Sequence, residues 1–339
     1  LENSFNAVER MKEYGELDTE EPGDTGENDN FPTDGSIDVK DLTFAYREGM
    51  DPVLKGFTAS IKHGEHIGLV GRTGCGKSTF FQALFRINDP VGGTVTIGGR
   101  DTQSIGLRKL RSSIAIIPQD PILFDGTLRS NLDPFDEFVG RDQEIWTALE
   151  HAHLRKLVES TEGGLNLEVS TGGENFSVGQ RQLVCLARAL LRKTKIIVLD
   201  EATANVDAET DALIQKTVRD SFGDRTTLTI AHRLETIMDS DRIIVVEKGS
   251  VAEFDSPKRL LKVQGGIFRA LVEDTGPSNA EYLALIAGGL TTPRSSFVGP
   301  SRSSFGVEHN ATGVVNLPGT YFSKKEKAMA LAEIILEYL

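Results

Sequence analysis

An α/β protein with a largely parallel sheet and an added antiparallel subdomain is predicted from three features of residues 37–274. Branched-aliphatic runs at 66–70, 114–117, 195–199, 226–230 and 242–246 have the continuous apolar character of strands buried on both faces. Helical patterns at 77–86, 179–191 and 209–220 follow several of them, an alternation that gives doubly wound topology. The runs at 37–46, 53–62 and 91–98 read as antiparallel strands added to that core.

The flanks differ in composition. Phe5, Val8 and Met11 recur at three-residue spacing among charges, the pattern of an amphipathic helix end. That pattern stops before Pro22-Gly23, and 24–35 reads as an acidic, glycine-containing linker. A chain that starts inside a helix at Leu1 is expected to be a piece of something longer. From about 275 the sequence is rich in Ser, Gly and Pro through Pro318, which predicts a flexible stretch, and 324–339 forms one amphipathic helix suited to docking. The expected division is 1–36, 37–274 and 275–339.

With 39% hydrophobic and 26% charged residues the chain has material for a core. No run approaches a membrane span, and nothing behind Leu1 has the form of a secretory leader. Two cysteines, Cys75 and Cys185, make no disulfide framework and fit a reducing compartment. The net charge is −13, from 37 basic and 50 acidic side chains. Residues 1–36 hold eleven of the acids against Arg10 and Lys12, whereas 275–339 balance to zero. An acidic chain without a basic stripe is a poor nucleic-acid binder, so nucleic acid is not an expected partner.

The strongest chemical signal is Gly71-Arg72-Thr73-Gly74-Cys75-Gly76-Lys77-Ser78. It satisfies G-x-x-x-x-G-K-[ST] between a predicted strand and a predicted helix. Glycines let backbone N–H groups wrap polyphosphate oxygens, and the helix N-terminus adds a favourable dipole. Lys77 would reach the β and γ phosphates, and the Ser78 hydroxyl would ligate Mg²⁺. Cys75 sits inside this loop, where the helix terminus would raise thiolate character and make it sensitive to thiol reagents; Cys185, in mid-helix, reads as core. The second signal is the aliphatic run 195–199 ending in Asp200-Glu201. It places two acids at the carboxyl end of a strand, where α/β ligands collect. Asp200 would hold Mg²⁺ through water, and Glu201 would polarise the attacking water as general base. Taken alone, the pair also reads as a helix cap beside a solvated Glu.

Between these signals lies Asn175-Phe176-Ser177-Val178-Gly179-Gln180-Arg181-Gln182, directly before the helix at 179–191. With both other motifs in place, the set resembles an ATP-binding cassette (ABC) nucleotide-binding domain: a phosphate-loop ATPase core, an antiparallel β subdomain and a helical signature subdomain. Ser177, Val178, Gly179 and Gln180 match its signature motif, a second anion-binding helix end that would face the γ phosphate held by another cassette. Further positions fall in family order. By this resemblance Gln119, in Ile117-Pro118-Gln119-Asp120, would touch Mg²⁺ and sense the transporter partner. Ala204-Asn205-Val206-Asp207 resembles the D-loop, His232 the switch histidine at the γ phosphate, and Tyr46 the aromatic that stacks on adenine. As bare residues, His232 also fits a structural histidine and Tyr46 strand core.

Finer resemblance points to the C subfamily, the multidrug-resistance-associated exporters, and to their second cassette. It rests on 71–74, 107–111, the run 121–134 and Val8-Glu9-Arg10. It implies ATP and Mg²⁺ as ligands, ATP hydrolysis coupled to export of organic anions or thiol conjugates, and a place at the cytosolic face of a membrane. The implied partners are transmembrane domains and a second cassette, with residues 71–79, including Thr73 and Thr79, facing the partner's signature. Phe176 and Val178 depart from the family-wide Leu-Ser-Gly-Gly-Gln; the bulk of Val178 bears on the opposite site of an unequal pair. Two other readings use the same residues: a nucleotide-sensing cassette that gates a channel, and a soluble cassette acting on DNA or the ribosome. The stretch from Ser78 to Phe176 has no sustained heptads and no room for the coiled coil of a chromosome-type ATPase.

Overall fold

The computed structural model describes residues 8, 10–12, 15, 30–47, 49–200, 206–231 and 233–289. In chain order its strands are β1 (Ile37–Phe44), β2 (Leu54–Ile61), β3 (His66–Val70), β4 (Gly92–Ile97), β5 (Arg100–Asp101), β6 (Ile114–Ile117), β7 (Gly126–Thr127), β8 (Glu168–Val169), β9 (Ile196–Asp200), β10 (Thr226–Ile230), β11 (Arg242–Glu247) and β12 (Ser250–Asp255).

The central sheet has the order β12-β11-β3-β10-β9-β6. Its five strands β11, β3, β10, β9 and β6 are parallel and coincide with the five branched-aliphatic runs, while β12 adds an antiparallel edge. The second sheet, β2-β1-β4-β5, is antiparallel, with Ile37 opposite Ile61 on one side and Ile97 on the other. Along β1 the side chains of Ile37, Val39, Leu42 and Phe44 are buried. The departure from strict alternation between Val39 and Leu42 is a bulge, at which Asp41 takes φ 49°.

The Lys77–Leu84 helix joins the two sheets. Phe80 on that helix stacks on Phe57 of β2, ring centroids 4.7 Å apart, inside a core that also holds Phe44, Leu54 and Leu69. Each fully buried side chain of this size contributes about 1.5–3 kcal/mol. A second core unites the Asp142–His151, Arg155–Ser160 and Val178–Leu191 helices around Ile145, Leu149 and Val184. A third lies beneath β11 and takes Phe268, Val272, Leu283 and Ile286 from carboxyl-terminal helices.

This third core corrects one expectation. The stretch from 275 was expected to be flexible, yet Pro277–Ala287 is a helix. Proline stands in its first turn, where a missing N–H is no loss, and burial of Leu283 and Ile286 anchors it. The helix expected at 324–339 lies outside the described residues. Val8, Arg10, Met11, Lys12 and Gly15 are helical, and both Val8 and Met11 are exposed.

Candidate nucleotide site

The glycine-rich loop leaves the carboxyl end of β3 and closes on the Lys77–Leu84 helix. Its geometry needs three glycines with positive φ: Gly71 at 153°, Gly74 at 81° and Gly76 at 111°. At Gly71 space matters too, because a Cβ would lie 2.3 Å from the Val246 carbonyl oxygen and 2.6 Å from Cys75 Sγ. The helix opens without a side-chain cap and without an acid in its first turn. Its amino end therefore presents uncapped N–H groups and the positive pole of the dipole. Lys77 is 8% exposed, and its ammonium donates to the carbonyls of Gly71 at 2.8 Å and Arg72 at 3.4 Å. That cation closes the loop around its mouth, with Thr73, Gly74 and Ser78 exposed on it.

A turn braces the loop from below. Between β11 and β12, Gly249 donates its N–H to the Cys75 carbonyl at 3.0 Å, and its own carbonyl accepts from Lys55 at 2.9 Å. Gly249 has φ 84°, and a Cβ there would meet the Val53 carbonyl oxygen at 2.0 Å. Gly249→Ala should destabilise the domain by about 2–3 kcal/mol, through left-handed strain and forced separation of the turn from β2. Urea unfolding checks this, and the variant should lose nucleotide affinity in parallel.

Cys75 corrects its sequence reading. The side chain is 8% exposed and turns under the loop beside Gly71, so its thiol is not presented at the mouth. Cys185 is buried, and desolvation pushes its thiol pKa up, offset in part by the Arg188 guanidinium. Alkylation requires thiolate. Iodoacetamide should modify both cysteines of the folded protein at least ~100-fold more slowly than in denaturant; rapid labelling of Cys75 at neutral pH would contradict the buried placement.

Tyr46 follows β1 and meets Phe44 edge to face, while its hydroxyl shares a 2.8 Å hydrogen bond with the Thr79 hydroxyl. The ring thus stands beside the first turn of the loop helix, and the Thr79 side chain is spent on holding it there. Asp200 closes β9 level with Ile230 of β10, and Gln119 lies two residues beyond β6. Loop, acid and amide are thereby gathered on the carboxyl edge of one parallel sheet, where ligands of such sheets bind. Glu201, Ala204, Asn205 and His232 lie outside the described residues.

The signature segment forms a second helix start. Ser177 caps the Val178–Leu191 helix through a reciprocal pair: its hydroxyl accepts from Gln180 N–H at 3.1 Å, and the Gln180 side-chain oxygen Oε1 accepts from Ser177 N–H at 2.9 Å. Val178 is 38% exposed at the helix start. Gly179 is there for packing, since a Cβ would stand 3.1 Å from Thr210 and 3.3 Å from Val206. Asp207 caps the Ala208–Ser221 helix and accepts from Thr210 N–H at 2.9 Å and Thr210 hydroxyl at 2.8 Å. Those bonds, the backbone one foremost, lower its carboxyl pKa below the usual range.

Sequence reasoning missed two residues that tie these parts together. The buried Gln182 amide donates to the Pro118 carbonyl at 2.9 Å, joining the signature helix to the residue before Gln119. Arg188 donates to the carbonyls of Ile122 at 2.7 Å and Asn131 at 2.6 Å, and to the Asn131 side-chain oxygen at 2.7 Å. Burial lowers the pKa of its guanidinium from the ordinary value. A polar residue on the apolar stripe of the helix is the one sequence signal that would have marked either.

Fold and loop together define a phosphate-loop ATPase with an inserted helical subdomain that carries a second capped helix start. Residues 54–204 match the family described as ABC transporter, and the chain carries the ATP-binding ATPase domain of that family. It belongs with the C family. It is 53% identical over 289 residues to ABC transporter C family member 12 of Dictyostelium discoideum, covering 84% of this chain and 22% of that protein. It is also 52% identical over 279 residues to ATP-binding cassette sub-family C member 3 of Mus musculus, covering 81% of this chain and 18% of that one. The chain thus spans about a fifth of the length of these relatives. Among solved structures, a bacterial Atm1-family ABC exporter with ATP bound superposes with a TM-score of 0.72 at 30% identity, over 81% of this chain and 48% of that one.

Proposed function

We propose that this domain powers a C-family exporter as its second cassette, hydrolysing ATP against a partner cassette. The observation that carries the reading is the placement of the glycine loop, Lys77, Asp200 and Gln119 on one sheet edge. In the proposed chemistry, amides of 73–79 and the Lys77 ammonium neutralise phosphate oxygens and hold the chain of phosphates still. Tyr46 flanks the base. Such positioning and charge neutralisation are most of what phosphoryl transfer needs from a protein.

The donor set fits Mg²⁺. Ser78, Gln119 and Asp200 supply hard oxygen donors, and among the described residues no three His, Cys, Asp or Glu side chains gather into a cage. With Asp200 acting through water, Ser78 and Gln119 would leave most of the Mg²⁺ shell to substrate phosphates and water. When bound, it would neutralise charge between the β and γ phosphates. Glu201 would accept the proton of the attacking water, and His232 would hold a γ-phosphate oxygen. Ser177, Gly179, Gln180 and Asp207 would face the nucleotide of the partner cassette. The transported class proposed is organic anions or thiol conjugates, carried by transmembrane domains at whose cytosolic side this domain sits; no helix among the described residues is long and apolar enough to cross a membrane.

Glu201→Gln tests the mechanism. Mg·ATP affinity should stay within about threefold while turnover falls by about 10²-fold or more, the scale of a general base. Turnover near that of the unaltered protein would remove Glu201 from that role. ATP-dependent uptake of a glutathione conjugate into inside-out vesicles holding the whole transporter tests the export reading; nucleotide-gated current without uptake would favour the channel regulator.

A further inference from the structure

A cleft of about 1340 Å³ opens on the face of the molecule away from the loop, beneath the amino ends of β6 and β9. Residues 30–33 form one wall, and the Leu107–Ser112 helix, the 132–138 loop and residues 191–195 form the others. Its charge runs against that of the chain. Arg108, Arg192, Lys193 and Lys195 line it, in a protein of net charge −13. Two carboxylates, Asp133 and Glu137, also line it, but Asp133 is buried and spends both oxygens on the N–H groups of Glu137 and Phe138. Lys193 is extended, its side chain 80% exposed and 3.4 Å from Glu144, a weak surface pair. Lys195 donates to the Thr33 carbonyl, which ties the entry of the linker to the cleft rim. The lining is about half apolar, with Phe31, Phe135 and Phe138 among it.

The sequence immediately before Asn30 has the complementary charge. Residues 18–29 hold Asp18, Glu20, Glu21, Asp24, Glu27 and Asp29 and no Lys or Arg. Asn30 itself lines the cleft, so this stretch begins at the cleft wall. At about 3.3–3.6 Å per residue its twelve residues reach roughly 40 Å, more than enough to cross such an opening. Tethering at that distance gives an effective concentration in the millimolar range. We infer that the acidic stretch 18–29 docks into this basic cleft, its carboxylates on Arg108, Arg192, Lys193 and Lys195.

The two walls that carry these cations lead into the site: the Leu107–Ser112 helix into β6 and Gln119, and residues 193–195 into β9 and Asp200. The inference concerns this chain alone and does not rest on nucleotide turnover.

Zero-length carbodiimide coupling of the full 339-residue chain, read by mass spectrometry at low salt, is the test. The expected result is amide links from Lys193 or Lys195 to carboxylates within 18–29. They should fall at least fivefold in the double variant R108E/K193E, read at Lys195, and in 1 M salt, where screening is about 3 Å. A matched melting temperature of R108E/K193E, both changes being at exposed positions, keeps that comparison valid. A 1:1 mixture of ¹⁴N and ¹⁵N protein should give links within one chain only. Links confined to Glu137 or Glu144, links insensitive to R108E/K193E, or mixed-isotope links marking a second copy as occupant would each overturn it.

Discussion

Lys77→Met is expected to weaken Mg·ATP binding by at least about 10²-fold, near 2.7 kcal/mol, and to lower turnover further. The ammonium is held at the loop mouth by the carbonyls of Gly71 and Arg72. Methionine keeps the length and apolar stem, so packing beneath the loop persists and the stability lost should be limited to the two carbonyl bonds, about 1–3 kcal/mol. The comparison is between titration of a fluorescent ATP analogue and thermal unfolding of the same variant. Binding within threefold of the unaltered protein would show that backbone groups alone hold the phosphates. A loss of stability well beyond that of the two bonds would mean that the variant reports collapse of the loop, not loss of a phosphate contact.

The second large effect is at Arg188, on the Val178–Leu191 helix. Its guanidinium reaches the Ile122 and Asn131 carbonyls and the Asn131 side chain, which in turn accepts from Phe124 N–H at 2.8 Å. Arg188→Ala takes their donor from the Ile122 and Asn131 carbonyls in a dry interior, leaves the Asn131 side-chain oxygen with Phe124 N–H alone, and opens a cavity beside Cys185; a cost of about 3–5 kcal/mol is expected. Arg188→Met fills the volume and should recover part of that, leaving only the orphaned acceptors. Denaturant midpoints of both variants, with hydrogen exchange at 122–132, check the order. Equal midpoints for Ala and Met would mean that packing contributes nothing at the site.

How far the sequence carried the reading depended on how local the cause was. The five parallel strands are legible because burial on both faces forces an unbroken aliphatic run, as in β9, whose first four residues are all buried. The β12 strand is half-buried along nearly its whole length, so Ser250–Asp255 shows neither alternation nor a continuous run. In Asp142–His151 only Ile145, Ala148 and Leu149 are buried, too thin a stripe to mark a helix among its charges. The glycine loop was legible as contiguous residues with a shared task. Gln182 and Arg188 were not, because their acceptors lie 57 to 66 residues away and any helix face could have carried them. Cys75 was misjudged for a related reason: its position in the loop is local, but its burial depends on the loop packing against a distant turn, whose Gly249 bonds the Cys75 carbonyl.

Calorimetric titration of Mg·ATP into the purified chain bears most directly on the claim that the loop from Gly71 to Ser78 clasps a nucleoside triphosphate. One saturable site per chain, weakened at least about 10²-fold in the Lys77→Met variant and within about threefold for Glu201→Gln, is the predicted result. No heat and no saturation up to millimolar nucleotide, with the protein shown to be folded, would contradict it.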